Sequence, residues 1–464
     1  MKLPGVLYFT IINAIIITGL VWCTGCAQIG MPTGGSRDSI PPRLLKAVPE
    51  LNSTGFTANK ITLTFDEYVN IEDVQNNVLV SPFPANNPVV DYKLKTVTVK
   101  LKDTLRPNTT YSINFGNAIR DNNENNPLKN FTYVFSTGKT IDSLTLEGKV
   151  IIAETGKADS TLIALLYRSA DDSAVQKRKP DYIARLRGDG SFNFTHLSPG
   201  NYKIYALKDG DGGKTYNAKV EQFAFADKAI TISRNNDPVI LYAYAEAKDV
   251  KTPLTSTILK STEKKLKYTS PVISQSQELE DDLELNFNRP LKKFDPSKII
   301  LTDTAYKAIP SVRTVIDSTR KKISLSVKWK EETKYRLIIN ADAAVDSSGI
   351  NLVKTDTLRF TTKKEADYGN LVLRFSGLDL AKHPVVQFVQ NEELKAAYPL
   401  TANEWNKKLF KPGEYDIRIL FDDNNNGKWD PGSYSKKRQP EKVIALPQKL
   451  SIRANWDNER DIKL

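Results

Sequence analysis

Ile61-Thr62-Leu63-Thr64-Phe65, Val97-Thr98-Val99-Lys100-Leu101 and Tyr111-Ser112-Ile113-Asn114-Phe115 alternate apolar with polar or small side chains. Successive side chains of a strand point to opposite faces, so such runs predict strands with one face buried. From residue 55 onward, segments of this kind are punctuated by Asn, Asp, Gly and Pro, and long helical periodicity is absent. Short strands between polar turns point to sandwiches rather than to alternating strand–helix units. The expected fold class is all-β, a tandem of β-sandwich modules.

Outward from these strands the sequence repeats itself. Pro199-Gly200-Asn201-Tyr202-Lys203-Ile204, with Asp209 after it, returns 213 positions later as Pro412-Gly413-Glu414-Tyr415-Asp416-Ile417, with Asp422. Tyr133-Val134-Phe135-Ser136-Thr137 is answered by Leu358-Arg359-Phe360-Thr361-Thr362, Leu63-Thr64-Phe65 by Leu285-Asn286-Phe287, and Pro107 to Tyr111 by Glu331 to Tyr335. Long-range self-similarity of this kind means a duplicated architecture. The order is unit A, unit B, a basic linker, then A and B again. Expected boundaries are 40–140 and 271–364 for A, 141–247 and 365–464 for B, and 248–270 for the linker.

Unit A resembles the bacterial Ig-like domain of S-layer-protein type. The resemblance is carried by Ile40-Pro41-Pro42, the Ile61 to Phe65 strand leading into Asp66-Glu67, the Pro107 to Tyr111 turn and strand, the Asp121 to Asn126 loop, and the closing Phe135-Ser136-Thr137. Unit B resembles the small transthyretin-like or carboxypeptidase-regulatory-like sandwich. There Gly188-Asp189-Gly190-Ser191-Phe192 predicts a hairpin, because the Asp-Gly pair accepts positive φ, and Pro199-Gly200 predicts a type II turn.

The N-terminal end sets the expected address. Met1-Lys2 is followed by no charge until Arg37, and an apolar stretch from Val6 to Trp22 ends in Cys23-Thr24-Gly25-Cys26-Ala27. A charged start, an apolar core and small residues have the shape of a secretory signal. Gly25-Cys26 resembles the bacterial lipobox, departing from it at Cys23, where the motif prefers an aliphatic residue. That resemblance implies cleavage of a 1–25 signal peptide and lipidation of Cys26, followed by a Gly-rich tether over 26–39. An ordinary signal with an incidental cysteine and an uncleaved anchor are the alternatives. Cys26 to Gly35, Ile40-Pro41-Pro42 and Asn114 to Ile119 also resemble a family of Ig-like-domain lipoproteins common in Bacteroidetes, which implies an outer-membrane, lipid-anchored protein with its facing open.

Cys23 and Cys26 are the only cysteines, so no disulfide framework is available and the cores must hold the modules together. The net charge of +12 comes from 66 basic against 54 acidic residues. A basic surface attracts polyanions, here envelope phosphates or acidic glycans, or simply keeps the protein soluble. Nucleic acid is not an expected partner, because no recognition helix, zinc motif or aromatic motif accompanies the charge.

Catalysis finds little purchase. His196 and His383 are the only histidines, and neither stands at triad or metal spacing. Carboxylates such as Asp66-Glu67 and Asp181 lie where turns and strand edges account for them. One segment rises above this background. Asp422, Asn424, Asn426 and Asp430 stand at positions 1, 3, 5 and 9 of a calcium-type loop, Gly427 at 6 allows the bend, and Lys428 offers its carbonyl. Position 12 is Ser433 rather than a bidentate Glu. In the first copy Asp209, Asp211, Gly213 and Asn217 take the same four places, with Lys214 where the glycine should be. The alternative for both is a polar β-turn.

These observations lead to the expectation of a non-catalytic outer-envelope lipoprotein that acts as a structural or interaction module for an envelope protein or glycan. Calcium is a possible cofactor. A carbohydrate-binding role would use exposed aromatics such as Tyr205, Tyr216, Trp405 or Trp429, although burial in the sandwich cores accounts for most such rings. An envelope enzyme would need an unrecognised carboxylate site.

Overall fold

The computed structural model describes residues 37–168, 170–233, 236–247, 265–273 and 276–464. The expected signal peptide, Cys26, most of the 26–39 tether and most of the 248–270 linker lie outside them. The chain divides into two compact units: one runs to Leu79 and adds Asn86–Thr104 and Ile113–Phe135, and the other comprises Val80–Ala85, Leu105–Ser112 and Ser136–Leu464.

The first unit contains a four-stranded antiparallel sheet in the order Leu44–Val48, Lys60–Phe65, Thr96–Lys100, Val89–Lys93. Ile61 lies opposite Val99 and Leu63 opposite Val97. All four, with Phe65, are fully buried, which is what the alternation requires of one sheet face.

The third module repeats this sheet as Tyr268–Thr269, Leu283–Phe287, Lys322–Ser326 and Arg313–Ile316. A second sheet orders Ile299–Thr302, Lys334–Ile339 and Asp356–Thr361, and the strand Leu291–Phe294 pairs with Ala344–Asp346. Its core gathers Leu283, Leu285, Ile323, Leu325, Leu337, Ile339, Trp329 and Phe360. The sheet begins inside the stretch expected to be linker. Leu266 is buried, and the Tyr268 hydroxyl donates to Asp356 at 2.7 Å. The lysines between 260 and 267 hid that strand, because a charge run reads as loop when the apolar residues between it are few.

The second and fourth modules share one topology. In the second, Leu144–Ile152 lies between Ser191–Leu197 and Val239–Ala243, the latter parallel to it. The facing sheet orders Tyr182–Arg185, Ile163–Tyr167, Gly200–Leu207 and Phe223–Phe225, with Ile230–Ile232 also on the Gly200–Leu207 strand. In the fourth, Gly369–Ser376 lies between Glu404–Phe410 and a parallel Asp457–Lys463. The facing sheet orders Glu393–Pro399, Pro384–Gln390, Gly413–Phe421 and Lys442–Ala445, with Leu450–Ile452 on the Gly413–Phe421 strand. Asp189-Gly190 makes a tight turn, with Gly190 at φ 81° and its N–H donating to the Arg187 carbonyl at 2.9 Å, but not the expected hairpin: the flanking strands Tyr182–Arg185 and Ser191–Leu197 leave the turn into the two facing sheets. The Pro-Gly pairs do not make type II turns. Gly200 and Gly413 open their strands at φ 147° and 148°, far from the value near +80° that such a turn needs and in a region that favours glycine.

Candidate functional site

The strand Gly413–Phe421 delivers Asp422 to the foot of a loop whose backbone closes on its own side chains. Asp422 is 1% exposed, and its carboxylate accepts the N–H groups of Asn426 at 3.1 Å and Gly427 at 2.5 Å. Asn424 and Asn426 each donate an amide N–H to Asp430, at 2.5 and 2.6 Å, and Lys428 donates its N–H to Asn426 at 2.7 Å. Four of the five residues singled out in sequence thus meet through their side chains, and Lys428 joins through its backbone.

A sixth residue completes the group without any sequence signal. Glu441, 5% exposed, accepts the N–H groups of Asp423 at 3.0 Å and Asp430 at 2.8 Å, and its carbonyl accepts the Trp429 indole N–H at 2.8 Å. Burial pushes the Glu441 carboxyl up, and the carboxylates of Asp422 and Asp430 add to the effect. Glu441 brings a carboxylate to the loop from beyond the motif, whose own position 12 is Ser433.

Carboxylates and amide oxygens are hard donors that suit calcium. The set fits in kind, but not in its present arrangement: both Asn side chains turn N–H toward Asp430. Among the described residues, no group of three or more His, Cys, Asp or Glu is placed to hold a metal ion.

In the second module the aligned loop is closed differently. The Lys214 ammonium ion-pairs with Asp209, and Lys214 N–H donates to the same carboxylate at 3.0 Å. Asp211 accepts from Gly213 N–H and from the Asn217 amide. Lys214 and Gly427 both take left-handed φ, 58° and 74°, so the bend is the same in both copies.

The other candidates have structural surroundings. Asp181 is buried, accepts the N–H of Arg168, and pairs with Arg106 and Arg178 at 3.4 Å each. Asp66 accepts the Arg43 N–H. Burial raises the Glu67 pKa, helped by the carboxylates of Asp121, Asp66, Asp38 and Glu124. His196 bonds to Thr195, and burial lowers its pKa; His383 lies against the Asp422 carbonyl at 3.3 Å. Tyr205 and Tyr216, which a carbohydrate-binding role would need exposed, are each 3% exposed and belong to a packed ring cluster. Trp405 packs against Phe388, Tyr398 and Phe410, and Trp429 is half-buried under its bond to Glu441. Among the described residues the exposed tryptophan is Trp456, with the Arg453 guanidinium 5.2 Å from its ring centre.

The family model of the bacterial Ig-like domain matches residues 38–137 and 260–362. No curated protein matches the chain. Among solved structures the chain is similar to the N-terminal part of the bacterial S-layer protein SbsC, with 12% identity, 40% of this chain and 44% of that one covered, and a TM-score of 0.20. It therefore spans less than half of that S-layer fragment. It is also similar to native alpha-2-macroglobulin from Escherichia coli, with 15% identity, coverage of 40% and 73%, and a TM-score of 0.20. A third likeness is to BcpA, the major pilin subunit of Bacillus cereus, with 10% identity, coverage of 69% and 99%, and a TM-score of 0.17. The match at 260 agrees with a third module that begins before Tyr268. Residues 38–137 and 260–362 are thus each similar to the bacterial Ig-like domain, and each matched segment is followed by a further β-sandwich.

Proposed function

We propose that the protein is a non-catalytic lipoprotein of the bacterial outer envelope, of the type common in Bacteroidetes. Its Ig-like and transthyretin-like sandwiches serve as spacer and interaction surface for an envelope protein or glycan. The observation that supports this best is that the polar residues most open to a chemical role, among them Asp181, Asp422 and Glu441, are engaged by backbone N–H groups or ion pairs that fold the modules. Lipid on Cys26 would hold the chain stably, since two or three acyl chains anchor where one is marginal. Metabolic labelling with a fatty-acid analogue tests the anchor: label is expected in the parent and lost in Cys26→Ala, and label that persists in the variant removes the site. Cross-linking from envelope membranes tests the interaction role, and recovery of bulk membrane proteins alone counts against it.

A second reading concerns calcium at the Asp422–Asp430 loop. It is favoured by the gathering of buried carboxylates at the loop: Glu441 and Asp422 are 5% and 1% exposed, and Glu441 accepts the N–H groups of Asp423 and Asp430. Rotating the Asn424 and Asn426 amides by half a turn would present oxygens in place of N–H donors. Isothermal titration of the apo protein with calcium tests it directly, and the absence of heat at millimolar calcium would end it.

A further inference from the structure

The second and fourth modules, which the third separates in sequence, are packed directly against each other. After the Asp422–Asp430 loop, the segment from Pro431 to Gln439 forms an arm, and its Tyr434 is 5% exposed in a cradle of second-module rings. Ring centres lie at 5.1 Å for Phe223, 5.2 Å for Phe225 and 6.0 Å for Tyr205. The Tyr434 hydroxyl donates to the Asp172 carbonyl at 2.6 Å, and its N–H donates to Glu246 at 3.1 Å. Gln439 donates to Asp227 at 2.6 Å and to the Phe225 carbonyl at 3.1 Å.

The contact continues away from the arm. Lys157 pairs with Asp416 at 3.6 Å, and Lys442 sits 4.7 Å above the Tyr242 ring. Two glycines make the approach close: a Cβ on Gly156 would lie 2.6 Å from the Ala445 nitrogen, and one on Gly432 would lie 2.5 Å from the Tyr244 ring. Buried aromatic anchors, satisfied hydrogen bonds and tight fit together mark a stable interface rather than a chance touch.

From this junction we infer a mechanical device: the second and fourth modules form one scaffold that carries the third as a side insertion, so that pulling force bypasses the third module. Two paths connect the scaffold halves. One is the direct junction, and the other runs through residues 248–364. The fourth module holds the third through Lys407–Glu280 at 2.7 Å, the Lys411–Asp281 pair and the Leu279 N–H on the Tyr368 hydroxyl at 2.8 Å. Of two parallel connections, the shorter and stiffer bears the load. The chain through the third module is loaded only after Tyr434 leaves its cradle, and that step adds length without unfolding a sandwich. The inference stands on the junction alone and does not need the anchor at Cys26.

The test uses the full chain with a protease site placed within residues 251–260. After cleavage the two halves are expected to stay together on gel filtration, and Tyr434→Ala should weaken their association at least tenfold, with Tyr434→Phe intermediate. Optical-tweezers extension between terminal tags should then show a short, reversible first step in the parent that moves to lower force in Tyr434→Ala. Circular dichroism of Tyr434→Ala identical to the parent keeps the comparison clean, and Tyr434→Phe serves in its place if it differs. Halves that part on cleavage, or a third module that unfolds before any short step, would overturn the device, while fatty-acid labelling would still report on the anchor.

Discussion

Asp121 ends the strand Ile119–Asp121 of the first module as Asp346 ends Ala344–Asp346 of the third, yet they meet opposite charges. Asp346 is fully buried, and Arg289 pairs with it at 3.1 Å. The residue aligned with Arg289 is Glu67, whose pKa is raised by its burial and then by Asp121. The two sandwiches of the other type differ likewise. Lys214 brings its ammonium to Asp209, whereas at the same bend Gly427 brings only an N–H to Asp422. In each pair, one copy carries a built-in cation where the other leaves carboxylates together. Duplication has kept strands, turns and even backbone dihedrals, while single residues changed the electrostatics of the buried acid. Local geometry is set by many residues at once, but the charge beside a carboxylate by one.

The largest expected effect lies where the fourth module has something the second lacks. Tyr434 aligns with Glu221, so only the fourth module has an aromatic plug. Tyr434→Ala should destabilise the joined modules by about 3–5 kcal/mol, the range for truncating a buried aromatic. Glu221→Ala, which removes an acceptor for the Asn217 and Ala218 N–H groups, should cost about 1 kcal/mol. Urea denaturation of both variants measures the contrast, and equal costs would mean that the arm contributes little.

Next comes the loss of the built-in cation. Arg289→Leu leaves Asp346 buried without its partner, and the unfolding midpoint of the third module should fall more than for loss of any exposed ion pair. The Asp346 pKa is lowered by the Ile350 N–H first and by Arg289 as well. An acid depressed in the fold gives stability above its unfolded value of 3.8, and loses it as pH falls through the folded value. In Arg289→Leu this acid-side loss should shrink, which denaturation at a series of pH values would show.

The reverse exchange should stabilise. Glu67→Arg gives the first module the charge arrangement of the third, and the gain should be at most about 1 kcal/mol, because water screens the site. The raised Glu67 pKa means that its cost is present above the folded value and fades as pH falls toward the ordinary 4.5. The difference between parent and variant should therefore narrow on acidification. A gap that widens toward acid would show that Glu67 is not the source.

The smallest effect is expected from calcium at the fourth-module loop. At roughly five times Kd, it would add about 1 kcal/mol to stability. Glu441→Gln should remove that response, and so should Gly427→Lys, which copies the lysine of the second module into a position where a Cβ meets nothing within 4 Å. A melting temperature that rises with calcium in Gly427→Lys as much as in the parent would break the parallel between the two loops.

The all-β class, the duplication and the loop from Asp422 to Asp430 were legible in sequence because each is a local pattern. Alternation follows from the two faces of a strand, and turn residues follow from backbone sterics and short side-chain bonds. The type II turn expected at Pro199-Gly200 failed because strand pairing with Ile230–Ile232 begins at the glycine itself. Burial of Tyr205 and Tyr216 is the ordinary state of tyrosine in a sandwich, but that a ring of another module, Tyr434, helps to cover them was not legible. Glu441, Tyr434 and the exchange of Arg289 for Glu67 were likewise out of reach. Their roles depend on which residues from distant segments share one low-dielectric space, and no periodicity encodes that. The sequence by itself determined the modules and their order, since alternation and turn chemistry act within a few residues. Only the tertiary structure decided which faces meet and which carboxylates are neutralised, because burial and charge pairing are properties of surfaces brought together by folding.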